Sequence, residues 1–324
     1  ETLLGRYTAF SNSDCLETLM RVLMISGDRS ILDTGSDAHA RLELQKSQVD
    51  CLDVFVWPQV HTAREICAAT KRGAYDAVTA QDPFWRGLLA WLVARRAGAK
   101  LNVQVHTDLD AQPFPRRMLA RIVLRRADSV RVVSEKIKKQ ILAMRATASI
   151  HVLPIYVDLS RFSFIKPISH EQKTILWVGR FEDEKNPLRA IGVLKEVQAQ
   201  GIDAKLVMLG KGSLEPSVRA CAKGMSIEFP GWKDPAEFLP TTDVVLCTSR
   251  HESWGASMVE ALAAGVPVVA PDVGVAREAG ACIVDRSNLA EEVVRVLHSS
   301  ARGELKLYLP HADEWAKRWR ETLA

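Results

Sequence analysis

TSRHESWGASMVEALAAGVPVVAP, residues 248–271, runs from the end of one apolar strand through a short loop and a helix into a second strand. The first strand ends near Ser249, and the loop carries Glu252. The helix begins near Trp254 or Gly255, holds Glu260 about two turns in, and stops at Gly265 before Pro267, a sequence suited to a C-cap. Strand, helix and strand in this order, with continuous apolar strands, are the repeating unit of a parallel sheet. The start of such a helix presents free N–H groups and roughly half a positive charge, which suits a phosphate. Gly255, Ala256 and Ser257 put no bulk in the way, and Glu252 and Glu260 flank the place with groups that accept hydrogen bonds from sugar hydroxyls. Either glutamate alone would be read as a surface carboxylate. Their position around one helix start favours a binding site.

The same alternation extends outward in both directions. Strand-like runs TILWVG (174–179), AKLVMLG (204–210), DVVLCTS (243–249), VPVVAP (266–271) and ACIVD (281–285) are separated by helical patterns at 186–201, 213–224, 254–265 and 287–300. Earlier runs are RVLMIS (21–26), DVFVW (53–57), DAVTA (76–80), LNVQVH (101–106), SVRVV (129–133) and SIHVL (149–153), with helical patterns such as 82–98 and 134–144 between them. The irregular stretch PIYVDLSRFSFIKPISHEQK (154–173) reads as a linker. The expected architecture is α/β, two Rossmann-like domains facing a cleft, the first over 20–164 and the second over 165–324. Its last helix, with Trp315 and Trp319 at i and i+4, packs onto the body. Residues 1–19 fit no element and are expected to be a disordered extension before Met20.

Two further strand-to-helix turns carry candidate residues. In WVGRFEDEKNP (177–187), Arg180 follows a strand directly and Lys185 precedes the next helix, a pair of cations suited to a diphosphate. Solvated charges paired with the intervening Glu-Asp-Glu are the alternative. LGKGSLEP (209–216) places Gly210 in a glycine-rich turn that lacks the third glycine of the dinucleotide fingerprint.

Taken together, GRFEDEKN, LGKG, FPGWKDPAEF and Asp243 ahead of the Glu252-x7-Glu260 pair resemble the C-terminal domain of family-4 retaining glycosyltransferases, over roughly residues 174–280. The first half is similar in outline, with a loop after the first strand and a histidine ending a strand. The resemblance implies a GT-B fold, with LPIYVD (153–158) as the hinge segment. It implies that Arg180 and Lys185 bind the donor diphosphate, that Glu260 binds the ribose and that Glu252 contacts the donor sugar. It places His106 beside the reacting sugar and the loop around Gly27 near donor phosphate and acceptor. The chain departs from the pattern in its short first domain and in the separated glycines of residues 26–36.

Composition narrows the remaining classes. The chain is 47% hydrophobic and 25% charged, ordinary for a globular protein. No apolar run approaches the ~20 residues of a membrane span. No secretory signal is visible, and six scattered cysteines fit a reducing cytoplasm. Residues 20–164 hold 22 Lys and Arg against 14 Asp and Glu, whereas 165–324 hold 20 against 22, so the first half could face an anion. PRRMLARIVLRR (115–126) sets Arg117, Arg121 and Arg125 in one helical row. A surface helix packed on the sheet is the favoured reading, with contact to the inner face of a membrane as the alternative. Asp108-Leu109-Asp110 spells a D-x-D that holds a metal in a different glycosyltransferase fold, but here Arg180, Lys185 and the helix start supply the charge, so no metal is expected. Modest charge without aromatic interleaving excludes nucleic acid.

The expectation is therefore a metal-independent, retaining glycosyltransferase with no cofactor beyond its nucleoside-diphosphate-sugar co-substrate. Its acceptor would be a glycan, lipid or small molecule. A nucleotide-sugar epimerase on the same fold, or a non-catalytic relative, is the alternative.

Overall fold

A computed structural model describes residues 20–324 except 59, 164 and 300. The chain divides into two compact units. The first runs to Tyr156 and takes in Leu309–Ala324; the second is Val157–Tyr308.

The first unit holds a six-stranded parallel sheet: β1 Arg21–Ser26, β2 Cys51–Val56, β3 Ala77–Ala80, β4 Lys100–Val105, β5 Ser129–Val132 and β6 Ser149–Val152, in the order β2-β1-β3-β4-β5-β6. β1, β3, β4 and β5 are buried almost end to end, as a sheet covered by helices on both faces requires. The register is unbroken, with Val22 opposite Leu52 on one side and Ala77 on the other. The order reverses between β1 and β3, which defines a crevice at their carboxyl ends.

The second sheet comprises β7 Lys173–Val178, β8 Ala204–Leu209, β9 Ile227–Gly231, β10 Val244–Leu246, β11 Val268–Ala270 and β12 Cys282–Ile283. Its order, β12-β11-β10-β7-β8-β9, is the Rossmann arrangement, with the reversal between β7 and β10. Trp177, Leu194, Leu206, Met208 and Val293 belong to the apolar core of this unit. β9, IEFPG, is a strand that the sequence reading passes over. Pro230 cannot donate to a ladder, and β9 lies at the sheet edge, where that is tolerated.

The boundary between the units falls at Tyr156/Val157 rather than at 164/165. Pro154 is tied to the first unit, because its carbonyl accepts hydrogen bonds from Arg131 and from the Trp315 indole, each 2.8 Å long. Past it, Arg161 pairs with Asp234, and the Ile168 amide donates to the Pro240 carbonyl at 2.7 Å, both within the second unit. The final helix Ala312–Glu321 puts Trp315 and Trp319 into the core of the first unit beside Val22, Met24 and Leu42. The reading of residues 1–19 as an extension lies outside the described residues. No helix among the described residues is long and apolar enough to cross a membrane.

Candidate active site

The loops leaving β7 and β10 flank the reversal point of the second sheet, and they carry most of the candidate residues. Lys185 comes from the loop after β7 and Glu252 from the loop after β10, and they form an ion pair with Nζ to Oε1 at 2.5 Å. The pair is largely buried, with 20% and 13% of the side chains exposed. Ser249 Oγ donates to the same carboxylate at 2.8 Å. The Thr248 hydroxyl lies 2.9 and 3.0 Å from the carbonyls of Lys185 and Asn186 and accepts from the Trp177 indole at 2.9 Å, so the two loops are stitched at the base of the pair. Thr248 and Ser249 are positioning residues that the sequence reading did not single out. They lie just past β10, and in the sequence they stand out only as the polar end of the apolar run DVVLCTS.

Arg180 stands apart from this pair. It is 63% exposed and bonds Glu184 at 2.6 Å, so the local acidic partner offered by the sequence is used. Arg250 pairs with Asp183 at 3.1 Å, and its amide donates to the Glu184 carbonyl at 2.7 Å.

Gly255 caps the helix Ala256–Ala263 with φ +100°, and no side chain caps the free N–H groups of that helix start. A side chain there would be strained in the left-handed region and would meet the Met258 methyl at 2.2 Å. Ala256, Ser257 and Glu260 are half-buried on this helix.

Gly210 has a different reason to be glycine. A Cβ at this position would sit 1.8 Å from the Gly179 carbonyl oxygen, so the turns after β7 and β8 pack backbone against backbone. The Phe181 amide donates to the Lys211 carbonyl at 2.9 Å, and the Leu214 amide to the Phe181 carbonyl at 2.8 Å. The glycine-rich turn shapes the loop that presents Arg180.

In the first unit, His106 follows β4. Its Nε2 is buried with no hydrogen-bond partner. Burial, then the charges of Arg131 and Arg41, push its pKa down to about 3, so the ring is neutral at pH 7. Gly27, after β1, lies under the Arg86 guanidinium, which is held by the Trp57 carbonyl at 2.8 Å and by Asp82 at 2.5 Å. Asp108 and Asp110 both accept from the Gln140 amide, at 2.7 and 2.9 Å, and Asp108 also pairs with Lys136 at 3.0 Å. Burial raises the pKa of Asp108, but the hydrogen bonds from Gln140 and Lys136 outweigh it and hold the carboxyl below its ordinary value. Among the described residues, no three His, Cys, Asp or Glu side chains are placed to share a metal ion.

Comparison with known proteins assigns the class. Residues 172–299 match the family model "Glycosyl transferases group 1", and residues 35–155 match "Glycosyl transferase 4-like domain". The chain belongs to the family-4 glycosyltransferases, and its two parallel six-stranded sheets have the GT-B fold. Its fold is similar to that of the lipopolysaccharide outer core galactosyltransferase WaaB, with TM-score 0.71 and 16% identity over 94% of this chain and 99% of that one. In sequence it is similar to the GDP-mannose-dependent alpha-(1-6)-phosphatidylinositol dimannoside mannosyltransferase of Mycobacterium tuberculosis, 31% identical over 40% of this chain and 36% of the relative. It also resembles the alpha-monoglucosyldiacylglycerol synthase of Streptococcus pneumoniae, 24% identical over 62% of this chain and 52% of the relative. The matched part thus spans about half or less of these two relatives.

Proposed function

We propose that this chain transfers a sugar from a nucleoside-diphosphate sugar, with retention of anomeric configuration and without a metal ion, to a glycan, lipid or small-molecule acceptor. The observation that carries the reading is the Lys185–Glu252 pair beside the uncapped helix start at Gly255, at the reversal point of the second sheet. A cation, a ring of free N–H groups and a carboxylate are the groups needed to hold a diphosphate at one end and sugar hydroxyls at the other. Lys185, Arg180 and the amides of Ala256 and Ser257 would stabilise the charge that develops on the leaving diphosphate. Glu260 would hold the ribose and Glu252 the donor sugar. One relative is named for its use of GDP-mannose, which supports a nucleotide-sugar donor here.

Binding of UDP, GDP and ADP, followed by melting temperature, tests the donor site, because a ligand that binds only the native state raises it. Glu260→Ala should weaken the preferred nucleotide about ten- to hundredfold, the loss of a hydrogen bond to a charged acceptor. A folded Glu260→Ala protein with unchanged nucleotide affinity would remove that residue from the site. Product analysis then separates transfer from epimerisation, which would proceed on donor alone. The anomeric coupling constant of the first-formed product reports retention; a β-glycoside from an α-linked donor would refute it.

A further inference from the structure

The carboxyl ends of β1, β3, β4 and β5 in the first unit enclose a polar cavity of about 80 Å³ whose lining includes Arg41, Gln45, Gln104, His106, Arg131 and Trp315. Three of these side chains have unspent hydrogen-bonding capacity. Arg41 makes no hydrogen bond or ion pair among the described residues. Burial lowers its pKa against the opposing pull of Asp37 and Asp28, so its charge is sheltered from water and not closely paired. Gln45, only 4% exposed, has no partner for its amide among the described residues. His106 Nε2 is likewise buried and unpartnered.

Behind them lies a second guanidinium with no carboxylate. Arg131, 2% exposed, donates to three neutral oxygens: Gln104 Oε1 at 2.8 Å, the Leu153 carbonyl at 3.1 Å and the Pro154 carbonyl at 2.8 Å. It also stacks on Trp315, 5.1 Å from the ring centroid. Burial and the Arg41 charge lower its pKa to about 9, which still leaves it charged at pH 7. Asp28, at the rim, is the one acid in the lining, and its carboxylate is engaged by the Ser30 amide and hydroxyl at 2.9 and 2.6 Å. Two guanidinium charges in a sheltered pocket without a close carboxylate are costly unless an anion completes them.

We infer that this cavity binds an anionic group, a carboxylate or a phosphate monoester, held by Arg41 with Gln45 and His106 as hydrogen-bond donors. Arg131 supplies fixed positive charge from beneath, and Gln104 orients it. Neutral His106 donates through Nε2–H and avoids a third positive charge in the pocket. The inference rests on the transferase reading in one respect: it makes the anion part of the acceptor, so the acceptor class is an acidic one rather than a neutral glycan.

The test uses inorganic phosphate and acetate, each against sodium chloride of equal ionic strength, on the full chain and on Arg41→Gln and Gln45→Leu. Melting temperature gives the affinity, and an NMR titration of the His106 ring gives its pKa. Phosphate, acetate or both should stabilise the parent, and a bound anion should raise the His106 pKa. Arg41→Gln should weaken that binding at least about tenfold, and Gln45→Leu should weaken it in the same direction. A response to phosphate alone or acetate alone names the acidic group. Neither anion exceeding chloride, or Arg41→Gln responding like the parent, would overturn the inference; the latter would put the anion at Arg180 and Lys185. Nucleoside-diphosphate affinity of Arg41→Gln should match the parent. If nucleotides fail to bind the parent while the Arg41-dependent anion does bind, the transferase reading fails and the anion site stands.

Discussion

Lys185 and Glu252 share a short ion pair, whereas Arg180 points a largely exposed guanidinium at Glu184, and this difference separates the three in a mutational test. Removing one member of a mostly buried pair leaves an uncompensated charge, which costs up to about 3–5 kcal/mol when burial is complete and less here. Lys185→Ala should therefore lower both melting temperature and turnover. Arg180→Ala should lower turnover with little effect on melting, because exposed pairs contribute only about 0–1 kcal/mol. Neutralising the partner in Lys185→Ala/Glu252→Gln should recover most of the melting temperature without recovering turnover. If the double variant melts as low as Lys185→Ala, the stranded carboxylate is not the cause. His106 gives a second test, read from pH. Its pKa in the fold is about 3 against an ordinary 6.5, so below 6.5 the unfolded chain takes up a proton that the native ring refuses. The stability that His106 contributes is complete above about 6.5 and drains away as the pH falls toward about 3. Between pH 7 and 4.5 the melting temperature of the parent should fall more steeply than that of His106→Gln. Parallel curves would mean that the ring is accessible and protonates normally. Arg131 and Gln104 were visible in the sequence as polar residues inside the apolar runs SVRVV and LNVQVH. Arg41 was not, because an arginine on a helix gives no sign that it turns inward until the sheet beneath it is in place.

Eleven of the twelve strands were legible because buried parallel strands read as short continuous apolar runs, and their parallel pairing follows from strands and crossovers alternating along the chain, whereas the strand orders emerge only in the fold. Elements with weaker patterns were missed. Asp37–Lys46 buries only Ala38, Leu42 and Gln45, and Ala63–Ala69 spans two turns, although Thr62 and Glu65 form the capping box that announces it. The Glu252-x7-Glu260 spacing was legible as a motif, but the bond from Lys185 to Glu252 joins loops 67 residues apart, and only the adjacency of β7 and β10 makes it. Phe114–Leu124 is the helix whose surroundings its sequence left open. Ala120, Val123 and Leu124 are buried, as a helix packed on the sheet requires. Phe114, Met118 and Ile122, spaced i, i+4 and i+8, form a second apolar stripe that faces solvent, and Phe114 is 72% exposed. Arg116, Arg117 and Arg121 lie on the same helix with no acid among its residues, and exposed Trp85 begins the adjoining helix Trp85–Ala97. An exposed apolar stripe bordered by arginines suits the surface of an anionic bilayer. Phe114→Ser/Met118→Ser/Ile122→Ser should abolish co-sedimentation with phosphatidylglycerol vesicles while melting stays close to the parent. Equal binding of parent and variant, or no binding to anionic over zwitterionic vesicles, would leave this face without a lipid role.

At the scale of the whole molecule, the chain passes into the second unit after Tyr156 and returns to the first at Leu309. The first unit is thus assembled from segments far apart in sequence. Trp315 is 1% exposed, and Trp319 and Leu323 are fully buried, all in the cluster formed with Val22, Met24, Ile31 and Leu42. The returning helix also completes a polar seam in the sheet. The Thr322 carbonyl accepts from Asn102 Nδ2 and from Ser129 Oγ, each at 2.7 Å, and Asn102 in turn bonds Thr79 on the neighbouring strand at 2.8 Å. Deleting residues 309–324 would expose the apolar faces that three large side chains cover, at about 1.5–3 kcal/mol each. It would also leave Asn102 and Ser129 without their shared acceptor in the middle of the sheet. Together these losses are comparable to the ~5–15 kcal/mol by which a domain is ordinarily stable. The second unit uses none of these residues in its core. The deletion should therefore unfold the first unit at temperatures where the second survives, so that a single melting transition becomes two, or one early transition precedes the parent's. Hydrogen exchange should localise the early loss to β1, β3, β4 and β5, with β7, β8 and β10 still protected. Uniform early loss across both sheets would show that the units are stable only together. An unchanged first transition would show that the helix adds nothing to the core it covers.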